Sequence, residues 1–203
     1  MPKGSKELTE SRKDEIITAC SELYKTMSFK DITIKEIGNA TSFTRTAIYN
    51  YFQTKEEILQ REYSLWIEQL ETLRKENAAM SRDEFASALA HSLEKRSDLL
   101  KLLSMNHYDM EDNSRMERLV EFKVVYGKAL AEMRNCLEHF FPDMTLQFKQ
   151  DFIFSFFPFM FGIYPYTVVT EKQKEAMAKA NVNYVYMSVY DITYAEAKRL
   201  LGV

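Results

Sequence analysis

Glycine, proline and cysteine are all scarce in this chain of 203 residues, which contains five Gly, four Pro and two Cys. Few helix breakers, helix-forming residues throughout and almost no alternation of β-branched with polar residues predict an all-α protein. Cys20 and Cys136 lie in separate helical segments, so we expect free thiols, a usage typical of a reducing cytoplasm. The first residues contain no apolar core, and we therefore expect no signal peptide and a cytoplasmic location.

The sequence also lacks the motifs of common enzymes. It has no Gly-rich phosphate loop, no Gly-x-Ser-x-Gly nucleophile motif and no visible pair of catalytic carboxylates. His107, Asp109 and Glu111 could each bind a metal, but their spacing places them together on one face of neither a helix nor a strand. A solvated connection between helices is the favoured interpretation. We expect no catalytic residue, no metal and no cofactor.

An excess of positive charge, the usual mark of nucleic-acid binding, is missing as well. The net charge is −3, and residues 1–60 hold nine Lys or Arg against nine Asp or Glu. Any affinity for DNA must then come from a few well-placed cations and from dimerisation, and it should depend strongly on salt.

The most informative segment runs from Ser28 to Leu59. Thr33 can cap a short helix, and Glu36, three residues later, can complete a capping box. Ala40–Phe43 would form a turn, after which Thr44 can cap a second short helix. The apolar positions of the two helices are Ile34, Ile37 and Gly38 in the first and Ala47, Ile48, Tyr51 and Phe52 in the second. Two short helices joined in this way match a helix-turn-helix, whose second helix enters the DNA major groove.

The outward-facing residue types of the second helix suit DNA. Arginine can read guanine with two hydrogen bonds, asparagine can read adenine, and threonine offers a hydroxyl and a methyl group. Tyrosine, lysine and helix N-termini suit phosphates. The candidate DNA-binding residues are Thr33, Thr44, Arg45, Thr46, Tyr49, Asn50 and Lys55. Composition and periodicity alone leave open the alternative of a small helical pair with a solvated polar face.

This segment resembles the DNA-binding domain of TetR-family transcriptional repressors. The matching elements are Thr33-Ile34-Lys35-Glu36-Ile37, Ser42-Phe43-Thr44-Arg45-Thr46-Ala47-Ile48, Tyr49-Asn50-Tyr51-Phe52 and Lys55-Glu56-Glu57-Ile58-Leu59. The family usually has alanine at Gly38 and glycine at Ser42, often has glycine at Thr46, and commonly has histidine at Asn50. The resemblance covers about 45 residues from Lys13 onward.

The resemblance implies two domains. Residues 1–55 would form a three-helix, helix-turn-helix DNA-binding domain, with residues 1–10, including Lys3 and Lys6, as a flexible arm. Residues 56–203 would form a helical effector-binding and dimerisation domain. Family members dimerise through two C-terminal helices that form a four-helix bundle. A small molecule bound in the C-terminal domain changes the separation of the two DNA-binding heads.

Helical periodicity divides the second domain into several segments. The predicted helices are Glu56–Asn77, one capped by Ser81 and Glu84, Leu99–His107, Ser114–Phe141, one starting near Asp143, Thr170–Asn181, and Thr193–Leu201 with a capping box of Thr193 and Glu196. The predicted inward positions of the long helix Ser114–Phe141 are Met116, Leu119, Val120, Tyr126, Leu130, Met133, Leu137 and Phe140. His91 and His139 are predicted to lie at the surface.

One long apolar run, Phe152–Val169, is unusually aromatic. It is just long enough for a membrane span, but Pro158, Gly162 and Pro165 interrupt it, and no membrane association is expected. A helix that is apolar on all faces must be buried from several sides. We predict that one side packs in its own domain and the other against a second subunit; burial within one subunit is the alternative. Pro158 should kink the helix and open space beside it.

That space is the predicted effector pocket. The candidate lining residues are Trp66, Met105, His107, Tyr108, Phe122, Tyr126, Phe156, Phe159 and Met160. Aromatic and Met side chains with few polar groups suit a largely apolar, planar or aromatic compound. For each residue, ordinary core packing is the alternative.

Together these features predict a cytoplasmic, homodimeric, ligand-responsive transcriptional regulator. It would bind a palindromic double-stranded operator as a repressor and be released by an apolar small molecule. The alternative is a helical small-molecule carrier or interaction protein that does not bind DNA and retains the head structurally.

Overall fold

The structure, a computed structural model, describes residues 4–27, 31–44, 46, 48, 56–104 and 116–203. The chain forms two compact units, Met1–Arg61 and Glu62–Val203. The division lies six residues beyond the predicted domain boundary. The described residues form helices, turns and loops without strands, and this confirms the prediction of an all-α fold.

The N-terminal unit is built on α1 (Gly4–Thr26) and α2 (Ile34–Asn39), and α3 (Glu56–Glu76) begins in it. α1 starts at Gly4, so most of the segment expected to form a flexible arm is helical. The core of this unit is aliphatic and aromatic. Its buried members are Ile16, Ala19, Cys20, Tyr24, Ile32, Ile37 and Ile48. Three of these buried residues, Ile16, Cys20 and Tyr24, follow one another at intervals of four and so lie on one face of α1.

The C-terminal unit contains most of α3 and seven further helices in its described part. They are α4 (Arg82–Glu94), α5 (97–104), α6 (Met116–Phe140), α7 (Leu146–Gly162), α8 (Tyr164–Thr167), α9 (Glu171–Lys179) and α10 (Val189–Leu201). The predicted cap of α4 is confirmed, because Ser81 accepts from the Glu84 N–H and the Glu84 carboxylate accepts from the Ser81 N–H. Thr145 and Thr170 cap α7 and α9 by accepting from the N–H groups of Phe148 and Gln173.

α10 packs against α4 and fixes the C-terminal end of the chain. Tyr194 donates a hydrogen bond to Asp83 over 2.8 Å, and Lys198 pairs with the same carboxylate over 2.7 Å. Arg82 donates to the carbonyl of Leu201 over 3.0 Å. Gly202 ends the helix with φ +74°, a left-handed conformation that glycine adopts without steric cost.

The predicted start of the last helix is wrong. The cap lies five residues before Thr193, at Ser188, which forms a capping box with Asp191 through both reciprocal hydrogen bonds. Thr193 is instead fully buried inside the helix. Two candidate capping pairs therefore compete along this segment, and the earlier one extends the helix that packs on α4.

Two inward positions predicted for the long helix are also wrong. Met116 and Val120 are 68% and 53% exposed, whereas Phe122, which was not in the predicted stripe, is buried. Because an α-helix turns by about 100° per residue, Val120 lies about 160° around the helix from Phe122. The buried stripe of α6 comprises Phe122, Ala129, Met133, Cys136, Leu137 and Phe140.

The apolar run Phe152–Val169 ends α7 and forms α8. Along α7, the buried side chains are Lys149, Phe152, Ile153, Phe156, Phe157 and Met160. The helix is not buried all round, since Phe154 is 61% exposed and Pro158, inside the helix, is also exposed. Among the described helices, none combines the length and hydropathy needed to cross a bilayer.

Candidate nucleic-acid interface and aromatic cluster

Thr33 caps the start of α2 as predicted, but the Glu36 carboxylate pairs with the Thr33 hydroxyl and not with its backbone N–H as a capping box requires. The Glu36 N–H donates to the Thr33 hydroxyl oxygen over 3.4 Å, and the Thr33 hydroxyl donates to the Glu36 carboxylate. Ile37 on the opposite face is buried, so the short helix is held between a capped, exposed N-terminus and the core. An exposed helix N-terminus with free N–H groups can accept a phosphate.

The turn after α2 is held by a residue of α1. Glu15 accepts from the Ser42 N–H over 3.3 Å and from the Ser42 hydroxyl over 3.1 Å through the same carboxylate oxygen. Within the turn, the Thr41 hydroxyl donates to the carbonyl of Ile37 over 3.0 Å. These bonds fix the angle at which the chain leaves α2 for the predicted recognition helix. No sequence pattern indicated this contact of Glu15, because its partner lies 27 positions away.

The predicted recognition helix is described at two positions, 46 and 48. The Ile48 N–H donates to the carbonyl of Thr44 over 3.0 Å, as in the first turn of a helix that begins at Thr44. Thr44 and Thr46 are exposed, while Ile48 is fully buried. The candidates Arg45, Tyr49, Asn50 and Lys55 lie outside the described residues, as do Ala47, Tyr51 and Phe52.

The start of α3 is tied back to α1 within the same unit. Arg61 and Asp14 form an ion pair over 2.9 Å, and both side chains are partly solvated. Asp14 and Glu15 are neighbours on α1, so adjacent carboxylates hold α3 and the turn of the helix pair. These two contacts hold in place the start of α3 and the turn that precedes the exposed Thr44 and Thr46.

The C-terminal unit contains an aromatic cluster drawn from three helices. Tyr63 and Trp66 come from α3, Phe122 and Tyr126 from α6, and Phe157 from α7. The Tyr63 ring centroid lies 6.0 Å from those of both Phe122 and Tyr126, and 6.4 Å from that of Trp66. Phe157 lies 5.7 Å from both Trp66 and Tyr126, which closes the ring of contacts. We refer to these five side chains as the aromatic cluster.

The polar groups of the aromatic cluster differ in their hydrogen bonding and in the effect of burial on them. The Trp66 indole N–H donates to the Ser92 hydroxyl over 3.0 Å, so it is satisfied in the core. Burial, and secondarily the proximity of Tyr126, raises the pKa of Tyr63. Burial also raises the pKa of Tyr126, which is only half-buried. Both phenols therefore stay neutral, and the cluster disfavours negative charge.

The structure brings part of the predicted pocket together. Trp66, Phe122 and Tyr126 meet in the aromatic cluster, while Phe156 and Phe159 contact each other at 5.9 Å between ring centroids. Met160 is fully buried on α7. The candidates Met105, His107 and Tyr108 lie outside the described residues, with Asp109 and Glu111. Tyr63 and Phe157 were missed, although Tyr63 and Trp66 have helical i, i+3 spacing.

A concavity of about 230 Å³ lies on the C-terminal unit around α8 and α9. It is lined by Pro165, Tyr166, Val169, Gln173, Met177 and Tyr184. The Tyr184 hydroxyl donates to the carbonyl of Tyr166 over 3.4 Å and so closes one side. The sequence did not predict this concavity.

Two family models match the chain, and together they span most of it. The model for "Bacterial regulatory proteins, tetR family" matches residues 16–61, which hold the C-terminal part of α1, all of α2 and the turn. The model for "Tetracyclin repressor-like, C-terminal domain" matches residues 60–190, more than half of the chain.

Individual proteins resemble the chain in sequence or in fold. Over 60 residues, 30% of the chain, it is 33% identical to the uncharacterized HTH-type transcriptional regulator YfiR of Bacillus subtilis (strain 168). That stretch spans 29% of YfiR, well under two thirds of its length.

Two solved structures share the fold over nearly the whole chain. The fatty acid degradation regulator FadR from Bacillus halodurans is 15% identical with a TM-score of 0.61, covering 93% of this chain and 97% of that one. A candidate TetR-family transcriptional regulator from Mesorhizobium loti MAFF303099 is 14% identical with a TM-score of 0.63, covering 96% of each chain. At these identities the likeness establishes the fold.

Proposed function

This chain belongs to the TetR family of bacterial transcriptional regulators, and from that premise we propose that it is a homodimeric repressor. It binds a palindromic operator and is released from it by a small, largely apolar molecule. The main support for the proposal is the geometry of the helix pair, in which Thr33 caps α2 and Glu15 accepts a hydrogen bond from the Ser42 N–H. Exposed Thr44 and Thr46 follow that turn. Action on chromosomal DNA would place the protein in the cytoplasm.

The proposed contacts follow residue type and position. Arg45 makes the main base contact, with Thr44, Thr46 and Asn50 assisting on the recognition helix. Thr33, Tyr49 and Lys55 hold phosphates. In a dimer, two such helices would enter successive major grooves about 34–36 Å apart, which is why a palindrome is proposed.

Dimerisation is proposed through α7 and one later helix. Phe154 and Leu146 are 61% and 73% exposed in the protomer, on a helix whose other face fills the core. A large exposed apolar surface on a soluble protein usually marks an interaction site. A second copy placed against this face would bury it.

The effector is proposed to bind in the C-terminal unit at the aromatic cluster. Aromatic walls with few polar groups are typical of pockets for apolar ligands. By linkage, a releasing ligand must bind the conformation that does not fit DNA more tightly, and DNA must weaken ligand binding by the same factor.

Selection of bound sequences from a random duplex library at about 0.15 M salt tests the function. Enrichment of a palindrome is expected. If the folded, dimeric protein enriches no sequence, the repressor proposal is wrong and the carrier alternative is favoured. The carrier alternative is retained because residues 1–60 have no net positive charge to attract DNA.

A further inference from the structure

Tyr63 carries a buried hydroxyl that the protein leaves without a partner in the described part of the chain. Its side chain is 0% exposed, and its Oη has no hydrogen-bond partner among the described residues. Folded proteins pair the large majority of their buried polar groups, because an unpaired one has lost its water without a replacement. Such a group calls for a specific explanation.

The surroundings of this hydroxyl have the composition of a ligand site. The rings in contact with Tyr63 belong to Trp66, Phe122 and Tyr126, all uncharged. The Trp66 N–H already has Ser92 as its acceptor, so it cannot serve Tyr63 as well. Tyr126 is half-buried, and the cluster therefore extends from the core toward the surface.

We propose that the Tyr63 hydroxyl donates a hydrogen bond to the effector, a neutral and largely apolar compound that carries a carbonyl oxygen. This inference rests on the effector-responsive function proposed above and adds the chemical class of the ligand. The aromatic walls supply apolar contact, and the buried Tyr63 hydroxyl sets orientation. A charged ligand is disfavoured because the contacting rings offer no counter-ion and burying an unpaired charge is costly.

Two nearly isosteric probes test the hydrogen bond on the full chain. Acetophenone has a C=O group where α-methylstyrene has C=CH₂, and both have one aromatic ring. Trp66, the only tryptophan of the chain, provides one indole N–H signal inside the cluster for an NMR titration. Tyr63→Phe removes the hydroxyl and keeps the ring. We expect it to weaken acetophenone binding about 3- to 10-fold and to change α-methylstyrene binding by less than about twofold.

Thermal unfolding supplies the second readout. Since the hydroxyl is unpaired in the unliganded protein, Tyr63→Phe should leave its melting temperature unchanged or raise it. A fall of several degrees would mean that the hydroxyl is bonded within the protein, and it would overturn the proposal. Tyr190→Phe, which removes a hydroxyl that pairs with Ser87 and is not part of the aromatic cluster, is the matched control and should change the binding of neither probe.

Three further results would also overturn it. They are a wild-type protein that binds neither probe at millimolar concentration, a Tyr63→Phe variant with unchanged acetophenone affinity, and equal weakening of both probes. Binding of the selected duplex separates this inference from the proposed function. If probe binding depends on the hydroxyl but does not change DNA binding, the ligand site is supported and its role as the effector site is not. If the protein binds the duplex but shows no preference between the probes, the proposed DNA-binding function is supported and this inference is wrong.

Discussion

Glu15 on α1 and Ser42 in the turn after α2 are joined by two hydrogen bonds to one carboxylate oxygen, at 3.3 Å from the backbone N–H and 3.1 Å from the hydroxyl. The family usually has glycine at this turn position, where no side-chain hydroxyl would be available. In this chain the serine gives the turn an additional tie to α1. The turn that leads to the predicted recognition helix is therefore held by a contact between distant parts of the sequence.

Removal of this tie should weaken DNA binding. Glu15→Ala loses both bonds and should destabilise the N-terminal unit by about 1 kcal/mol, with several-fold weaker binding of the selected duplex. Ser42→Ala loses the hydroxyl bond alone and should have a smaller effect. Both are measured by fluorescence anisotropy with a labelled duplex.

The control for that experiment lies on the same helix. Glu22 pairs with Lys25 at the solvent-exposed surface of α1, a type of ion pair that contributes little. Glu22→Ala should therefore leave duplex affinity unchanged. Equal effects of Glu15→Ala and Glu22→Ala would show that the turn contact has no role in DNA binding.

A charge on the exposed face of α7 should prevent dimerisation. Phe154→Glu places a carboxylate at a side chain that is 61% exposed in the protomer and that the proposal buries against a second copy. The variant should be monomeric by light scattering at micromolar concentration and should lose most of its operator affinity. Val124→Glu, at an apolar side chain of α6 that is 53% exposed, should remain dimeric. A dimeric Phe154→Glu protein would place the interface elsewhere.

Removal of one partner from the partly buried ion pair of Arg74 and Glu132 should destabilise the protein. The two side chains meet at 2.7 Å, with Glu132 only 7% exposed, and Asn135 donates to the other carboxylate oxygen over 2.9 Å. Arg74→Met leaves the carboxylate without its cation and should cost about 2–4 kcal/mol in urea unfolding. The double variant with Glu132→Leu should recover most of that loss. Additive losses in the double variant would contradict this account.

The Cys136 thiol should be unreactive toward thiol reagents in the folded protein. Burial, and secondarily Glu132, raises the pKa of its thiol to about 12. In a Cys20→Ala background, Ellman's reagent at pH 8 should react only as fast as the protein unfolds, because the thiolate is the nucleophile. Rapid reaction of the native protein would show that the thiol is accessible.

The same shift predicts the direction of a pH effect. Above the ordinary pKa of a thiol, the unfolded chain loses the Cys136 proton while the folded chain keeps it up to about pH 12. Stability should therefore fall as the pH rises through this window, since the unfolded state binds fewer protons. Cys136→Ala should remove this part of the pH dependence, which is measured by urea unfolding between pH 8 and about pH 10. An identical slope in both proteins would contradict the assignment.

The parts of the fold that were predictable depend on neighbouring residues. The caps at Thr33 and Ser81 involve hydrogen bonds across three positions, so their sequence pattern contains the whole interaction. Near the end of the chain, two such patterns compete, and burial of Thr193 against the core decides between them. No local pattern reports that burial.

Contacts between distant residues could not be predicted. The tie between Glu15 and Ser42 and the convergence of Tyr63 with Phe122 depend on the packing of separate helices. Three of the five members of the aromatic cluster, Trp66, Phe122 and Tyr126, were predicted because aromatic side chains are typical of apolar pockets. The sequence did not show which of them would meet.

Operator binding by Arg45→Ala, compared with Lys55→Ala, tests the central claim most directly. If the second helix reads bases, Arg45→Ala should lose about 1–3 kcal/mol on the selected duplex and relax specificity at one base pair of each half-site. Lys55→Ala should instead weaken all sequences alike and reduce the salt slope by about one unit. Unchanged affinity and unchanged preference in Arg45→Ala would contradict the assignment of the recognition helix.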